Sequence, residues 1–209
     1  MPRPKKSEKQ VQAMRDRILD AAYEILQQEG PEAISIRGIA ELLDVAHMSL
    51  YTYFDNQATI LSALREREMA QWREQLRVFE QHAQNQDMGQ VVVDMLRFFI
   101  AFARDNPNLY RLAWVMPETA GESPQQTHLR MRDTVEQLAG LLAVGMERGD
   151  FEPREPFLAA VTVLGMVNMP YILFHSGKLI DPVLRDRLVE EVLSAAMLYL
   201  MRTVVSSIL

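Results

Sequence analysis

The feature that most constrains this chain is the spacing of its apolar residues, which recur every three or four positions along nearly all of it. The first segment of this kind shares that spacing at seven positions: Val11, Met14, Ile18, Ala21, Ala22, Ile25 and Leu26. Such spacing places the apolar side chains on one face of a helix, whereas strict alternation would indicate a strand. No pair of segments carries a hairpin signal. The sequence therefore predicts an all-α fold of about nine helices.

Glycine, proline and capping residues set the predicted ends of these helices. The first helix ends at Gly30-Pro31, Ser35 caps a short helix to about Leu43, and a second short helix ends near Phe54. The remaining helices are predicted at about 57–84, 88–104, 107–116, 125–148 and 157–175, and from the break at Gly177 and Pro182 to about residue 206. Residues 117–124 have the composition of a loop.

The composition is that of a soluble globular protein, with 48% hydrophobic and 24% charged residues among 209. No apolar run is judged to approach the ~20 residues of a membrane span. The basic start is not followed by an apolar segment, so it does not resemble a secretory signal. The chain has no cysteine, which fits a reducing cytoplasm. We therefore expect a cytoplasmic protein with no membrane partner.

The chain has 22 basic and 28 acidic side chains, and these charges are distributed unevenly along it. Six basic residues lie within the first 17 positions: Arg3, Lys5, Lys6, Lys9, Arg15 and Arg17. With two acidic residues there, that segment carries +4, and the remaining 16 basic and 26 acidic residues carry −10. A cationic end can face phosphates while an anionic body does not; a solvated basic tail is the alternative interpretation.

Residues 36–54 combine two short helical segments with the three-residue break Asp44-Val45-Ala46. The side chains expected to face inward are Ile39, Ala40, Leu43, Leu50 and Phe54. Two helices crossing steeply over a short turn form a helix-turn-helix, whose second helix enters the DNA major groove. A helix pair inside an ordinary bundle is the alternative.

The second short helix is expected to project a set of polar and flexible side chains outward. Those placed to reach base edges are His47, Met48, Ser49 and Thr52. The hydroxyl groups of Tyr51 and Tyr53 are placed to meet phosphates. The sequence thus predicts a DNA interface on this helix.

Residues 15–61 resemble the DNA-binding head of the tetracycline-repressor (TetR) family through the pattern R-x-x-I-L-x-A-A, L-x-x-x-G and I-A-x-x-x-x-V-x-x-x-x-L-Y-x-Y-F. The resemblance implies that Arg37 reaches a base or phosphate and that positions 47–49 read bases. Three positions depart from the family pattern. Asp44 replaces a turn glycine, Ala46 replaces a capping serine or threonine, and Gln57 replaces a lysine that commonly anchors a phosphate. Gln57 is retained as a DNA contact, with a shallower salt dependence expected.

The resemblance also implies two domains, a DNA-binding domain at residues 1–56 with a basic arm at 1–10, and a ligand-binding and dimerisation domain at 57–209. The last helix has a broad apolar stripe: Leu188, Val189, Val192, Leu193, Ala196, Met197, Leu200, Met201 and Val204. The preceding helix supplies small residues: Ala159, Ala160, Thr162 and Gly165. We expect these two helices to form a homodimer seam; packing within one chain is the alternative.

Methionine and aromatic residues are concentrated on the central helices, and together they favour an adaptable apolar pocket. The candidate lining residues are Trp72, Met95, Phe98, Phe99, Phe102, Tyr110, Trp114, Met131, Met166, Met169, Tyr171 and Phe174. Taken one by one, each residue is better explained by core packing, and only the group favours a pocket. A pocket lined in this way would bind a small hydrophobic or aromatic ligand.

No catalytic motif, metal-ligand spacing or nucleotide-binding loop is found in the sequence, so we expect neither an enzyme nor a cofactor. The predicted function is a ligand-responsive transcription regulator, most simply a repressor. It would bind a near-palindromic operator as a homodimer and be released by a small hydrophobic effector. The alternative is a helical small-molecule-binding or interaction protein with weakened DNA binding, kept open by Asp44, Ala46 and Gln57.

Overall fold

The structure, a computed structural model, describes residues 7–83, 86–116 and 124–201, without the side chains of residues 80, 82 and 124–131. The described residues contain helices and no strand. The α-helices are α1 (Glu8–Glu29), α2 (Ile36–Leu42), α3 (Gln57–His82), α4 (Met88–Asp105), α5 (Pro107–Tyr110), α6 (Pro124–Arg148), α7 (Pro156–His175) and α8 (Pro182–Met201). Two 3-10 helices, Pro31–Ala33 and His47–Thr52, and a π-helix, Arg111–Val115, complete the elements.

Each of the nine helices predicted from the sequence has a counterpart in the described part of the chain, which confirms the all-α fold. Helix α1 ends at Gly30 with φ at +94°, as predicted, and Ser7, to which the sequence reasoning gave no role, caps its start. The second short helix is a 3-10 helix rather than an α-helix, and the predicted helix at 107–116 divides into α5 and a π-helix. The predicted loop at 117–124 lies almost wholly outside the described residues.

The chain forms two compact units. The first comprises Met1–Ala70 and Asn108–Ser123, and the second comprises Gln71–Pro107 and Pro124–Leu209, each to the extent described. Helix α3 therefore contributes residues to both. The first unit has a core of fully buried aliphatic side chains that includes Ile18, Leu26, Ile34, Ile39, Leu50, Ile60 and Leu64.

Polar contacts hold the segment after Pro107 within the first unit. Buried Arg65 donates its Nε–H to the carbonyl oxygen of Leu112 at 2.9 Å, and Asn108 donates to the carbonyl oxygen of Gln27 at 3.3 Å. Arg111 forms an ion pair with Glu32. Residues distant in sequence are thereby placed beside α1 and the first part of α3.

The second unit is built mainly from α4, α6, α7 and α8, whose buried residues are aliphatic and aromatic. In α7 the buried face consists of Ala159, Ala160, Val163, Leu164, Val167, Pro170 and Tyr171. In α8 it consists of Val189, Leu193, Ala196 and Leu200. These four residues of the predicted dimer stripe thus pack inside their own chain.

Helix α7 corrects the expectation that no apolar run is long enough to span a membrane. It contains no Lys, Arg, Asp or Glu, and by length and composition it is apolar enough to cross a membrane. Among the described helices it is the one that meets the criteria of length and composition. The core helices of soluble proteins also meet these criteria, so they are weak evidence for a membrane. What distinguishes α7 is the apolar surface that it leaves uncovered.

Candidate nucleic-acid interface and effector site

Helix α2 is positioned by its cap and by its buried face. The Ser35 side chain accepts a hydrogen bond from the Gly38 amide at 3.1 Å, as predicted for an N-cap. Ile39 is fully buried and Ala40 is 2% exposed, which confirms them as inward-facing residues. Arg37 lies on the opposite side of α2 and is exposed. Helix α2 therefore packs through its apolar face and exposes the Arg37 cation on the opposite face.

The turn after α2 places Asp44 in the left-handed region, with φ at +51°. Glycine is the usual residue in this conformation. The replacement of a turn glycine by Asp44 therefore puts an L-residue in a region that L-residues rarely adopt. The Val45 amide closes the turn by donating to the Ala40 carbonyl oxygen at 3.0 Å. Asp44 is the one non-glycine residue with positive φ in the described part of the chain.

The 3-10 helix His47–Thr52 begins at Ala46, whose side chain offers no cap. Ser49 bonds within this first turn, because both its amide and its hydroxyl donate to the Ala46 carbonyl oxygen, at 2.8 and 2.7 Å. The inner face of this helix is fixed by Leu50, which is fully buried, and by Phe54, which is 3% exposed. The Ser49 hydroxyl is thus bonded within its own turn rather than held toward solvent.

The outer face of the same helix carries the predicted base-reading residues. Met48 is 65% exposed and Tyr51 is 46% exposed, and His47 and Thr52 are also exposed. Tyr53 differs, because its side chain is only 8% exposed. The arrangement offers a flexible thioether, an imidazole and hydroxyl groups to a partner.

Gln57, predicted as a DNA contact, is the first residue of α3. Its Nε2 donates to the carbonyl oxygen of Ile34 at 2.7 Å, so the amide ties α3 to the connection between α1 and α2. The side chains and amides of Asn56 and Thr59 exchange hydrogen bonds at 3.3 and 2.9 Å and cap the helix. Gln57 therefore commits one of its two Nε2 hydrogens to a bond within the chain.

Sequence reasoning assigned no role in this site to Arg15, which the structure places against it. Arg15 donates from Nη1 to the Tyr53 carbonyl oxygen, and its guanidinium lies 4.0 Å from the centre of the Phe54 ring. Its position at the head of the R-x-x-I-L pattern was the available signal, although the pattern does not say what the arginine contacts.

An aromatic cluster in the second unit brings together four of the predicted pocket residues. Trp72 on α3 contacts three phenylalanines of α4, with ring centroids 6.2 Å away for Phe98, 5.2 Å for Phe99 and 5.4 Å for Phe102. Trp72 and Phe99 are 3 and 4% exposed, whereas Phe98 and Phe102 are partly exposed. Met95, one turn before Phe99, is also buried. The cluster is apolar and rich in planar surfaces.

The other predicted pocket residues are divided among different surroundings. Tyr110 and Trp114 stack with centroids 5.2 Å apart in the first unit. Met166 is half-buried on α7, while Met169 is 51% exposed on the outer face of that helix. The side chain of Met131 lies outside the described residues. The predicted set is therefore not one cluster in the described structure.

Tyr171 and Phe174, near the end of α7, are covered by an arginine. The Arg185 guanidinium lies 5.6 Å from the Tyr171 ring centre and 4.4 Å from that of Phe174, and it pairs with Asp186 at 2.7 Å. Burial raises the pKa of the Tyr171 hydroxyl above its ordinary value, and the positive charge of Arg185 opposes that rise. These two rings are thus already in contact with a side chain of the same chain.

Helix α7 presents an uncovered apolar stripe on the face opposite its buried residues. The stripe, defined here as Leu158, Val161, Gly165, Met169 and Ile172, follows helical spacing. Its large side chains are between 37 and 61% exposed. On α8, Leu198 and Met201 are exposed by about half (50 and 52%).

The fold and the exposed faces described above define a class of protein. An all-α chain has a helix-turn-helix whose outer face is polar and exposed, and a separate apolar unit with a large aromatic cluster. Within the described residues, no group of three or more His, Asp or Glu side chains is placed to hold a metal ion. The class is that of all-α proteins with a helix-turn-helix, a motif whose second helix enters the DNA major groove in DNA-binding proteins.

Comparison with family models shows which segment is similar to a known family. Residues 18–64 match the family model described as bacterial regulatory proteins, tetR family. This segment of the chain is therefore similar to the DNA-binding segment of the tetR family, as the motif over residues 15–61 predicted. No curated protein sequence matches the chain.

Solved structures of regulators share the fold over most of their length. FadR from Bacillus subtilis, solved with stearoyl-CoA, is 21% identical with a TM-score of 0.65, covering 88% of this chain and 97% of its own. Thermus thermophilus FadR, a TetR-family repressor solved with lauroyl-CoA, is 16% identical with a TM-score of 0.65, covering 92 and 98%. RolR, solved with resorcinol, is 17% identical with a TM-score of 0.66, covering 94 and 92%. At these identities the likeness establishes the fold.

Proposed function

We propose that this chain is a ligand-responsive transcriptional repressor of the cytoplasm. It binds a near-palindromic operator as a homodimer and is released by a small hydrophobic effector. Residues 1–56 form its DNA-binding domain, and residues 57–209 form its ligand-binding and dimerisation domain. The observation that carries the proposal is the exposed face of the 3-10 helix His47–Thr52, hereafter the reading helix, on a frame of fully buried side chains.

DNA reading follows from what each exposed group can donate or accept. Arg37 forms charge-assisted bonds with a phosphate or a guanine, and His47 and Thr52 form hydrogen bonds with base edges. Met48 supplies apolar contact to a thymine methyl group. The Tyr51 hydroxyl bonds to the sugar-phosphate backbone. Because Tyr53 is mostly buried, it supports the helix more than it contacts DNA.

Dimerisation is supported by the uncovered stripe on α7. Five apolar or small residues in helical register, exposed to water on one face, form a surface that a second copy of the same helix can cover. A methyl group added at Gly165 would meet no atom within 4 Å, so this point of the stripe allows close approach. Ala159 and Ala160, predicted as seam residues, are fully buried in the chain and do not belong to the stripe.

The dimer places two reading helices on one duplex. Helix-turn-helix dimers bind half-sites about one helical turn apart, about 34 Å, so the operator is expected to repeat at that distance. A single reading helix makes too few contacts for specific binding, and this is why the stripe matters for function.

The effector site is assigned to the aromatic cluster around Trp72. Stacked and edge-on rings can accept an acyl chain or an aromatic ring by shifting a few side chains. The related structures solved with stearoyl-CoA, lauroyl-CoA and resorcinol support this class of ligand for the fold. Tyr171 and Phe174 are less available, because Arg185 covers them.

We attribute the release of the chain from DNA, when an effector binds, to helix α3. Gln57 begins this helix directly after the reading helix, and Trp72 lies on the same continuous helix. An effector that displaces Trp72 therefore acts on the element that follows the DNA-binding domain. Driving the switch almost to completion requires an effector that prefers the released state by about 10⁴-fold.

Retention of the purified chain on DNA over a series of salt concentrations tests the primary function. A pool of duplexes with a randomised centre, long enough for two half-sites, serves as the probe and also yields the preferred sequence. We expect enrichment of an inverted repeat and steep loss of binding as salt rises. Negligible retention at the lowest salt concentration would contradict DNA binding.

Effector binding is tested with lauroyl-CoA, stearoyl-CoA and resorcinol as probes. Trp114→Phe leaves Trp72 as the sole tryptophan, because the chain has two. We expect at least one probe to change Trp72 fluorescence and to weaken binding to the selected duplex at the same concentration. A probe that binds at Trp72 without affecting DNA binding would refute the coupling.

A second candidate function, a helical small-molecule-binding or interaction protein, is favoured by the bond between Gln57 and Ile34. Gln57 stands where the family commonly has a lysine, and its neutral side chain is held by a main-chain carbonyl oxygen. Its contact with a phosphate is therefore weaker. The same salt series distinguishes the two functions, because this candidate predicts ligand binding at Trp72 with flat, weak retention on DNA.

A further inference from the structure

Arg15 on α1 contacts the end of the reading helix through two different interactions. Its Nη1 donates to the carbonyl oxygen of Tyr53, the residue that ends the helix. Its guanidinium also lies over the Phe54 ring at a cation–π distance, with 4.0 Å from Cζ to the ring centre. Arg15 is only partly exposed.

These contacts converge on the end of the reading helix. The Leu50 carbonyl oxygen accepts from the amides of both Tyr53 and Phe54, at 2.8 and 3.0 Å. The Tyr53 carbonyl oxygen is at the end of the helix, where a carbonyl has no partner within the helix. A charged donor from α1 supplies that partner and fixes the distance between α1 and the helix end.

Arg17, two residues further along α1, provides the contrast. It is exposed, and its hydrogen bond is a long one of 3.8 Å to the sulfur of Met14. Both arginines add to the positive charge of the first 17 residues, yet the guanidinium of Arg15 is occupied inside the domain. Equal charges on one helix thus have different environments.

We infer that Arg15 is a positioning residue that sets the orientation of the reading helix for base recognition, and that it is not a phosphate contact. The inference rests on the proposed DNA-binding function. Lysine cannot replace it, because an ammonium group lacks the planar surface that stacks on Phe54 while donating to Tyr53. Specific DNA binding therefore depends on the planar shape of the Arg15 guanidinium. Nonspecific DNA binding does not depend on the charge of Arg15.

The test compares Arg15→Lys, Arg15→Met and the matched control Arg17→Met. The probes are the duplex selected by the wild-type chain and a scrambled duplex of the same composition, each over a salt series. We expect both Arg15 variants to lower the ratio of specific to nonspecific affinity by about tenfold or more, with an unchanged salt slope on the scrambled duplex. Arg17→Met, which removes the same charge, is expected to keep the ratio.

Hydrogen exchange of the amides in residues 47–54 gives a readout that needs no DNA. We expect Arg15→Lys to accelerate exchange there, while exchange in residues 18–29 and the thermal midpoint change little. If Arg15→Met does not fold, Arg15→Lys and this measurement carry the test. If the wild-type chain selects no duplex, the proposed function fails, and exchange in residues 47–54 still decides whether Arg15 braces the helix.

Two results would overturn the inference. In the first, Arg15→Lys retains the wild-type affinity ratio while Arg15→Met reduces the salt slope by about one, as for a phosphate contact. In the second, both variants retain the ratio and the slow exchange of residues 47–54.

Discussion

The reading helix and helix α7 are held in place in opposite ways. The reading helix is short, and side-chain hydrogen bonds to main-chain groups fix it and its neighbours, from Ser35, Ser49 and Gln57. Helix α7 is long and apolar on all sides, and its buried face consists mainly of aliphatic side chains. The position of the first region therefore depends on the geometry of single bonds, and that of the second on how much apolar surface is covered.

The largest effect is expected from a charge placed in the α7 stripe. Met169→Glu puts a carboxylate on the proposed dimer surface twice, once from each copy, while the 51% exposure of Met169 lets the monomer tolerate the charge. We expect a monomer in sedimentation, and affinity for the selected duplex lowered toward the nonspecific level, by about 10³-fold or more.

The controls for this prediction separate the charge from its position. Met169→Leu should remain a dimer with wild-type affinity, and Gln71→Glu, which adds the same charge at an exposed position of α3, should behave likewise. A dimeric Met169→Glu chain would show that the stripe is not the interface.

Removal of residues 1–6 is expected to have the next largest effect. The deletion takes away Arg3, Lys5 and Lys6 and leaves Ser7, whose side chain caps α1. If all three cations contact phosphates, the salt slope falls by about 2.7. A titration of the selected duplex measures this, with circular dichroism confirming the helices. An unchanged slope would assign these residues to a solvated tail.

Sequence periodicity predicted the fold well because each helix is delimited by chemistry that acts locally. Gly30 ends α1, Ser35 caps α2, and the inward residues Ile39, Ala40 and Leu50 are buried as expected. Apolar spacing and capping need no knowledge of distant contacts. The elements, their order and the inner face of the helix-turn-helix were therefore accessible from the sequence.

Contacts between distant residues were not accessible in this way. Arg15 and Gln57 looked like solvent-facing polar residues, yet each bonds to a carbonyl oxygen far along the chain. The sequence also placed Ala159 and Ala160 in the dimer seam, because a helix that is apolar all round does not reveal which face packs internally. Periodicity identifies an apolar face only where a polar face opposes it.

Gln57→Lys tests how much a single hydrogen bond near the reading helix contributes to DNA binding. Lysine restores a cation at the start of α3 while giving up the 2.7 Å bond to Ile34, or making it with its ammonium group. We expect tighter binding of the selected duplex and a salt slope steeper by about 0.9. Gln57→Met, which has neither charge nor donor, separates the loss of the bond from the gain of charge. Weaker binding by the lysine variant would mean that the Ile34 bond matters more than a phosphate contact.

The smallest expected effect comes from Asp44→Gly at the turn. Left-handed backbone costs an L-residue about 1 kcal/mol or more, and glycine is free of that cost but loses more chain entropy on folding. Because aspartate tolerates this region better than most residues, we expect a net gain in unfolding free energy of about 0.5 kcal/mol, measured by urea denaturation. Asp44→Ala should lose stability, since alanine tolerates the left-handed region less well than aspartate does. If Asp44→Gly also weakens specific binding, the strained turn holds the reading helix in place as Arg15 does. If binding is unchanged, the side-chain bonds at the ends of that helix are sufficient, and the turn only connects it to α2.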